Sequence, residues 1–148
     1  MPHLMLAIVS WAVLLIIVGK SRIAQWAVSG IVGVTLAVIV DSVLISYGLY
    51  RYEKSLITIN GIFPVCHFLY TYASTIIYLN WLPKHRREQI LYTVFLSIAF
   101  LVVEAIMYQF GAIVYIKWNL WYSYPVILFG LSFLCIIASK FKLYQPNT

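Results

Sequence analysis

Charge is what this sequence has least of. Four acidic and ten basic side chains serve 148 residues, so 9% of the chain is charged against 64% hydrophobic. A soluble domain carries roughly 25% charged residues, and this chain lacks the polar surface to cover a water-exposed globule. A disordered segment, a collagen repeat and a coiled coil fail on the same composition. Cysteine is also scarce. Cys66 and Cys135 both lie in apolar runs and form no CxxC pair, so a disulfide framework or a zinc site has no support. HExxH, a phosphate-cradling glycine loop and GxSxG are missing, and with Asp41 as its one aspartate the chain has no aspartyl dyad.

Long apolar runs fill the space that charge leaves, with a mean hydropathy of +0.94. A spanning helix needs about 20 such residues. The first run, Met1 to Gly19, ends at Lys20 and Arg22. Only His3 precedes its core and Val18-Gly19-Lys20-Ser21 makes a poor cleavage site, so it reads as a retained anchor, not a signal peptide. The second run extends from Ile23 to near Tyr50 with Asp41 inside it, and Arg51, Glu53 and Lys54 close it. In the third, Asn60-Gly61 signals a turn and Pro64 suits a first helical turn. A helix from about 62–64 to Leu82 follows, with 55–61 as an interfacial loop. The alternative is one long helix from Leu56 kinked at Pro64.

The fourth run covers Gln89 to Ile116 with Glu104 inside it, and the fifth goes from Pro125 to Ser139. The expected architecture is a single all-α transmembrane domain over 1–148, with helices at about 2–19, 23–49, 63–82, 89–116 and 124–139. A four-span arrangement, with the first run lying in the interface, is its rival. Trp118, Trp121 and Tyr122 have the composition of an interface belt, as do Tyr47, Tyr50 and Tyr52. Lys84, Arg86 and Arg87 form a short basic loop, suited to anionic headgroups and too isolated for nucleic acid. With five spans, Lys20, Arg22, Lys84, Arg86, Arg87, Lys140 and Lys142 share one side, against Arg51, Lys54 and Lys117 on the other. The richer side is expected to be cytoplasmic, which puts the N-terminus outside and the C-terminus inside.

Ionisable groups inside a membrane are costly and call for a reason. Asp41, Glu104 and His67 are the three in this chain. Ser29, Gly33, Ala37 and Asp41 recur every four residues, so a small-residue packing stripe leads to the carboxylate. Ser97, Glu104 and Gly111 repeat at heptad spacing. Asn60, Pro64, His67, Thr71, Ser74 and Tyr78 make one polar stripe if the third helix begins early enough. Asp41 lies roughly 15 Å along its helix from Arg51, and Glu104 roughly 20 Å from Lys117. An Asp41–His67–Glu104 cluster is permitted by these depths without being demanded. It would act as structural glue, as a proton- or cation-linked group, or, least of all, in catalysis. Nothing in the spacing enforces a metal site.

Asp41 with Gly48-Leu49-Tyr50-Arg51-Tyr52, Pro64, Tyr78-Leu79-Asn80-Trp81-Leu82-Pro83, Glu104 and the segment Tyr115 to Ser123 together resemble a family of small multi-pass membrane proteins of bacilli and related spore-forming bacteria. The resemblance covers about two-thirds of the chain, from Asp41 to about Phe141, and leaves out the first run. It implies a plasma-membrane location in a Gram-positive-like cell and adds weight to Asp41, Glu104 and Lys117–Ser123. It carries no established activity. The expected role is therefore a structural, regulatory or accessory subunit of a membrane assembly, not an enzyme. No cofactor is expected, and its partners are lipid and a second copy or another membrane protein. The alternative is a small proton- or cation-linked carrier or channel using the intramembrane carboxylates.

Overall fold

A computed structural model of the chain describes residues 2–18, 23, 26–60 and 62–141. Lys20, Arg22 and Lys142, which enter the charge count above, lie outside these, as does Gly61. Among the described residues the chain is mostly helical: α1 (Pro2–Ile17), α2 (Ala27–Ser46), α3 (Val65–Asn80), α4 (Arg86–Gln109) and α5 (Leu120–Lys140). Helices α2, α4 and α5 are each long and apolar enough to cross a membrane, whereas α1 is apolar but shorter. Large apolar side chains point outward along them, among them Ile16 at 83%, Phe95 at 70% and Phe129 at 69% exposure. Apolar surface on this scale is what a bilayer solvates and water does not.

Four short strands interrupt the helical pattern. β1 (Tyr50–Tyr52) pairs antiparallel with β4 (Ile113–Tyr115), and β2 (Thr58–Ile59) with β3 (Phe63–Pro64). Two glycines create the first pair. Gly48 and Gly111 take left-handed φ of +65° and +68°, where a side chain would be strained. At each, the amide of the glycine bonds three residues back and the next amide five back, Leu49 to Leu44 and Ala112 to Met107. These bonds satisfy the last carbonyls of α2 and α4 and turn the chain out of the helix. The fourth helix therefore stops at Gln109 and not at Ile116, and the second at Ser46 and not near 49. The hydrophobic run continues past both ends, but as strand.

The other boundaries also shift for local reasons. Residues 55–60 lie outside α3, which starts directly after Pro64, and Asn60 takes φ 53° in the β2–β3 turn. The polar stripe of the third helix thus begins at His67, without Asn60. Helix α5 starts at Leu120 and not at 124, because Asn119 caps it: its side-chain oxygen accepts from the Trp121 amide at 3.1 Å. Pro125 consequently falls inside the helix.

The helices alternate in direction. His3, at the start of α1, touches the β1–β4 end, where Nε2 donates to the carbonyls of Glu53 (2.9 Å) and Ala112 (3.2 Å). Further along, the Trp11 indole donates to Leu69 O. Leu14 and Val18 then join Ile76, Leu79 and Ala138 in the apolar core at the opposite end. So α1 runs beside α3 in the same sense, with α2 antiparallel to both. Helices α1, α2 and α3 form one half, α4 and α5 the other. The halves meet through the β1–β4 ladder at one end. At the other, Tyr78 OH lies 2.9 Å from Thr93 Oγ1 and 3.2 Å from Leu131 O.

Small residues set the spacing within the first half. A Cβ on Gly33 would fall on the Thr75 side chain, and one on Gly30 on the Tyr72 ring. Gly130 in α5 is the opposite case, since a Cβ there meets nothing. Gly33→Ala is expected to destabilise the reconstituted protein by about 1–3 kcal/mol through overpacking. Gly130→Ala is expected to stabilise it by up to about 1 kcal/mol through helix propensity. Opposite shifts in thermal midpoint, measured in lipid nanodiscs, check this.

Candidate functional site

A cavity of about 240 Å³ lies between the two halves, reached by residues of all five helices and of β1 and β4. Asp41 and His67 enter from the first half and Glu104 from the second. The three residues picked from sequence therefore line one space, but as two hydrogen-bonded groups and not as one.

The first group is built on Asp41. The small-residue stripe brings it there: Ser29 and Gly33 are buried, and Ala37 lines the cavity one turn before the carboxylate. Tyr50 OH donates to Oδ1 at 2.6 Å and Tyr52 OH to Oδ2 at 2.7 Å. His67 Nε2 lies 3.0 Å from the same Oδ2. The second group is built on Glu104, whose Oε1 accepts from Tyr115 OH and from Ser123 Oγ, both at 2.5 Å. Trp118 Nε1 in turn donates to Ser123 Oγ at 2.8 Å. In an apolar interior a carboxyl group without such partners would carry the full desolvation cost.

The ladder register explains why the phenols reach both groups. Tyr50 pairs with Tyr115, Tyr52 with Ile113, and Arg51 with Val114. Side chains alternate along a strand, so the three tyrosines share the inner face while Arg51 points out and pairs with Glu53 at 2.7 Å. Burial first, and the neighbouring carboxyl groups second, push the Tyr50, Tyr52 and Tyr115 hydroxyls well above the usual phenol range. They stay protonated, and so remain donors, at any physiological pH. Rings continue the lining: His67 lies 4.9 Å from Tyr52 and 4.8 Å from Tyr70, centroid to centroid.

Three placements differ from the sequence expectation. Tyr50 and Tyr52 are carboxylate ligands and not belt residues, although Tyr47 is outward at 73% exposure. Trp118 turns inward to the cavity, while Trp121 and Tyr122 remain exposed. His3, which precedes the core of the first run, also lines the cavity. The signal for the tyrosines was present as alternation: Tyr-Arg-Tyr after Gly48 and Ile-Val-Tyr after Gly111 are strand-like pieces at helix ends. Lys84, Arg86 and Arg87 are exposed at the far end, away from the cavity. No group of three or more His, Cys, Asp or Glu able to hold a metal occurs among the described residues.

Comparisons with protein-family models, with curated proteins and with solved structures give no match. The reading of the site rests on its geometry.

Two separate groups behave differently from one network in a double-mutant cycle. Tyr52→Phe and Asp41→Asn share a hydrogen bond and are expected to couple by about 0.5–3 kcal/mol in unfolding free energy. Tyr52→Phe and Ser123→Ala sit in different groups, and their effects are expected to add to within about 0.5 kcal/mol.

Proposed function

We propose that the chain is a small multi-pass protein of a bacterial cell membrane whose five helices cross the bilayer around an intramembrane binding cavity. Its role is proton- or cation-linked, as a carrier or binding protein with no reaction of its own. One observation carries this reading: carboxyl groups from the two halves face a shared cavity instead of being sealed in helix contacts. Intramembrane acids placed on a cavity are how ion and proton pathways are marked. Counting α1 as a span is supported by its course beside α3, although its 16 residues reach only about 24 Å. The uneven distribution of Lys and Arg among the loops of the sequence supports an outside N-terminus and a cytoplasmic C-terminus.

A second reading keeps the chain as a structural, regulatory or accessory subunit. It is favoured by the pairing of each carboxyl group with two hydroxyl donors, which suits a fixed joint between halves. Flux separates the two. Proteoliposomes holding the wild-type chain are expected to pass a cation- or proton-dependent current that Glu104→Gln abolishes while the helical circular dichroism stays unchanged. Equal flux from Glu104→Gln, wild-type and empty vesicles, with only a lowered thermal midpoint in the variant, would leave the joint as the function.

A further inference from the structure

The cavity has a polar end and an apolar body, and the two ends specify different parts of an occupant. At the polar end the hydroxyls of Tyr50, Tyr52 and Ser123 are committed to Asp41 and Glu104, and the Trp118 N–H to Ser123. Three buried nitrogens there have no hydrogen-bond partner, Nδ1 of His3 and both ring nitrogens of His67. Nε2 of each ring faces an acceptor, the Asp41 carboxyl group for His67 and two backbone carbonyls for His3. A neutral ring that carries its proton on Nε2 presents a lone pair at Nδ1. A buried acceptor left without a donor costs free energy, so the site is incomplete as it stands.

Charge points the same way. Two carboxyl groups line the cavity, and among the described residues lining it there is no Lys or Arg. An occupant that completes this end supplies N–H donors and positive charge together. Aromatic faces at Tyr50, Tyr52, Tyr70 and Trp118 also favour a cation. The remaining wall is mostly apolar, with Val40, Leu44, Phe100, Val103, Met107 and Leu131, and only α3 adds hydroxyls to it, at Thr71, Ser74 and Thr75. An enclosed apolar cavity of about 150 Å³ takes benzene. The 240 Å³ here suits one ring or its aliphatic equivalent joined to a short polar head.

Resting on the cavity reading above, we propose that the occupant is a small lipophilic ammonium ion with free N–H groups, its head between Glu104 and His67 and its apolar part among the α2, α4 and α5 side chains. Glu104 supplies the counter-charge from the second half. His67, oriented by Asp41, accepts a hydrogen bond at Nδ1 from the first. The ligand thus bridges the two halves from inside.

The test is equilibrium dialysis of 2-phenylethylammonium against the full chain in lipid nanodiscs. Empty discs serve as the blank, and 2-phenylethanol, benzyltrimethylammonium and 3-phenylpropanoate as comparison probes. We expect saturable binding of one 2-phenylethylammonium per chain, at least tenfold tighter than any of the other three. Glu104→Gln is expected to weaken it at least tenfold. Gly130→Leu, which fills open space on the cavity wall, is expected to weaken it similarly without loss of helical content and without lowering the thermal midpoint. Equal binding of 2-phenylethanol would overturn the charge argument, and equal binding of benzyltrimethylammonium the hydrogen-bond argument. Preference for 3-phenylpropanoate would reverse the polarity of the site and overturn both. Absence of all four probes, with a cation-dependent flux that Glu104→Gln removes, would end this proposal and leave the cavity reading standing. Absence of binding and of flux would end both.

Discussion

A carboxyl group in an apolar interior must find donors, and much of this structure is arranged around two that do. Asp41 and Glu104 stand on helices of different halves, and neither helix offers a donor to either group. Three of the donors come from outside the helices, Tyr50 and Tyr52 on one short strand and Tyr115 on its partner, and the fourth, Ser123, from the start of α5. Those strands exist because Gly48 and Gly111 end α2 and α4 early. The requirement of the carboxyl groups is thus met by breaking helices that the hydrophobic pattern would have continued. The ladder that results also joins the halves, backed by Glu53 N to Ala112 O at 2.8 Å and by Lys54 Nζ to Phe110 O at 2.7 Å.

This joint leaves the middle of the molecule open. Apolar packing around Tyr78 and Leu79 holds the halves together at one end and the ladder at the other, and a partly open space lies between. Native interiors are close-packed, and a cavity of this size in so small a chain needs an account. Gly130, where an added Cβ would meet nothing, lines the same space. Glycine in the middle of a helix costs stability without a compensating contact here. Both observations fit a volume that is kept for an occupant.

Much of this was legible in the residues. The apolar runs gave the five helices, and the four-residue spacing of Ser29, Gly33, Ala37 and Asp41 gave the face that packs on α3 and ends at the cavity. One polar face on each of three helices permitted the convergence of Asp41, His67 and Glu104 without demanding it. What sequence reasoning missed lies at the helix ends. A window of uniform hydrophobicity cannot tell Ile113-Val114-Tyr115 as the tail of a helix from the same residues as a strand, because burial rewards both. Gly111, read as one point of a heptad, is the turn that decides between them. Aromatic residues posed the same ambiguity. Trp118 and Trp121 have equal belt composition, and only the cap at Asn119 sends one inward and the other outward. His3 could not be placed at all without knowing that α1 ends beside the ladder.

The central claim is that Asp41 and Glu104 are cavity groups, open to exchange, and not sealed glue. Infrared difference spectroscopy against pH on the lipid-reconstituted chain addresses it directly, with Asp41→Asn and Glu104→Gln assigning the two carboxyl bands. The account predicts two distinct bands that change protonation with pH and whose protonated forms exchange rapidly with deuterium. Bands that stay fixed across the accessible range, without deuterium exchange, would contradict it.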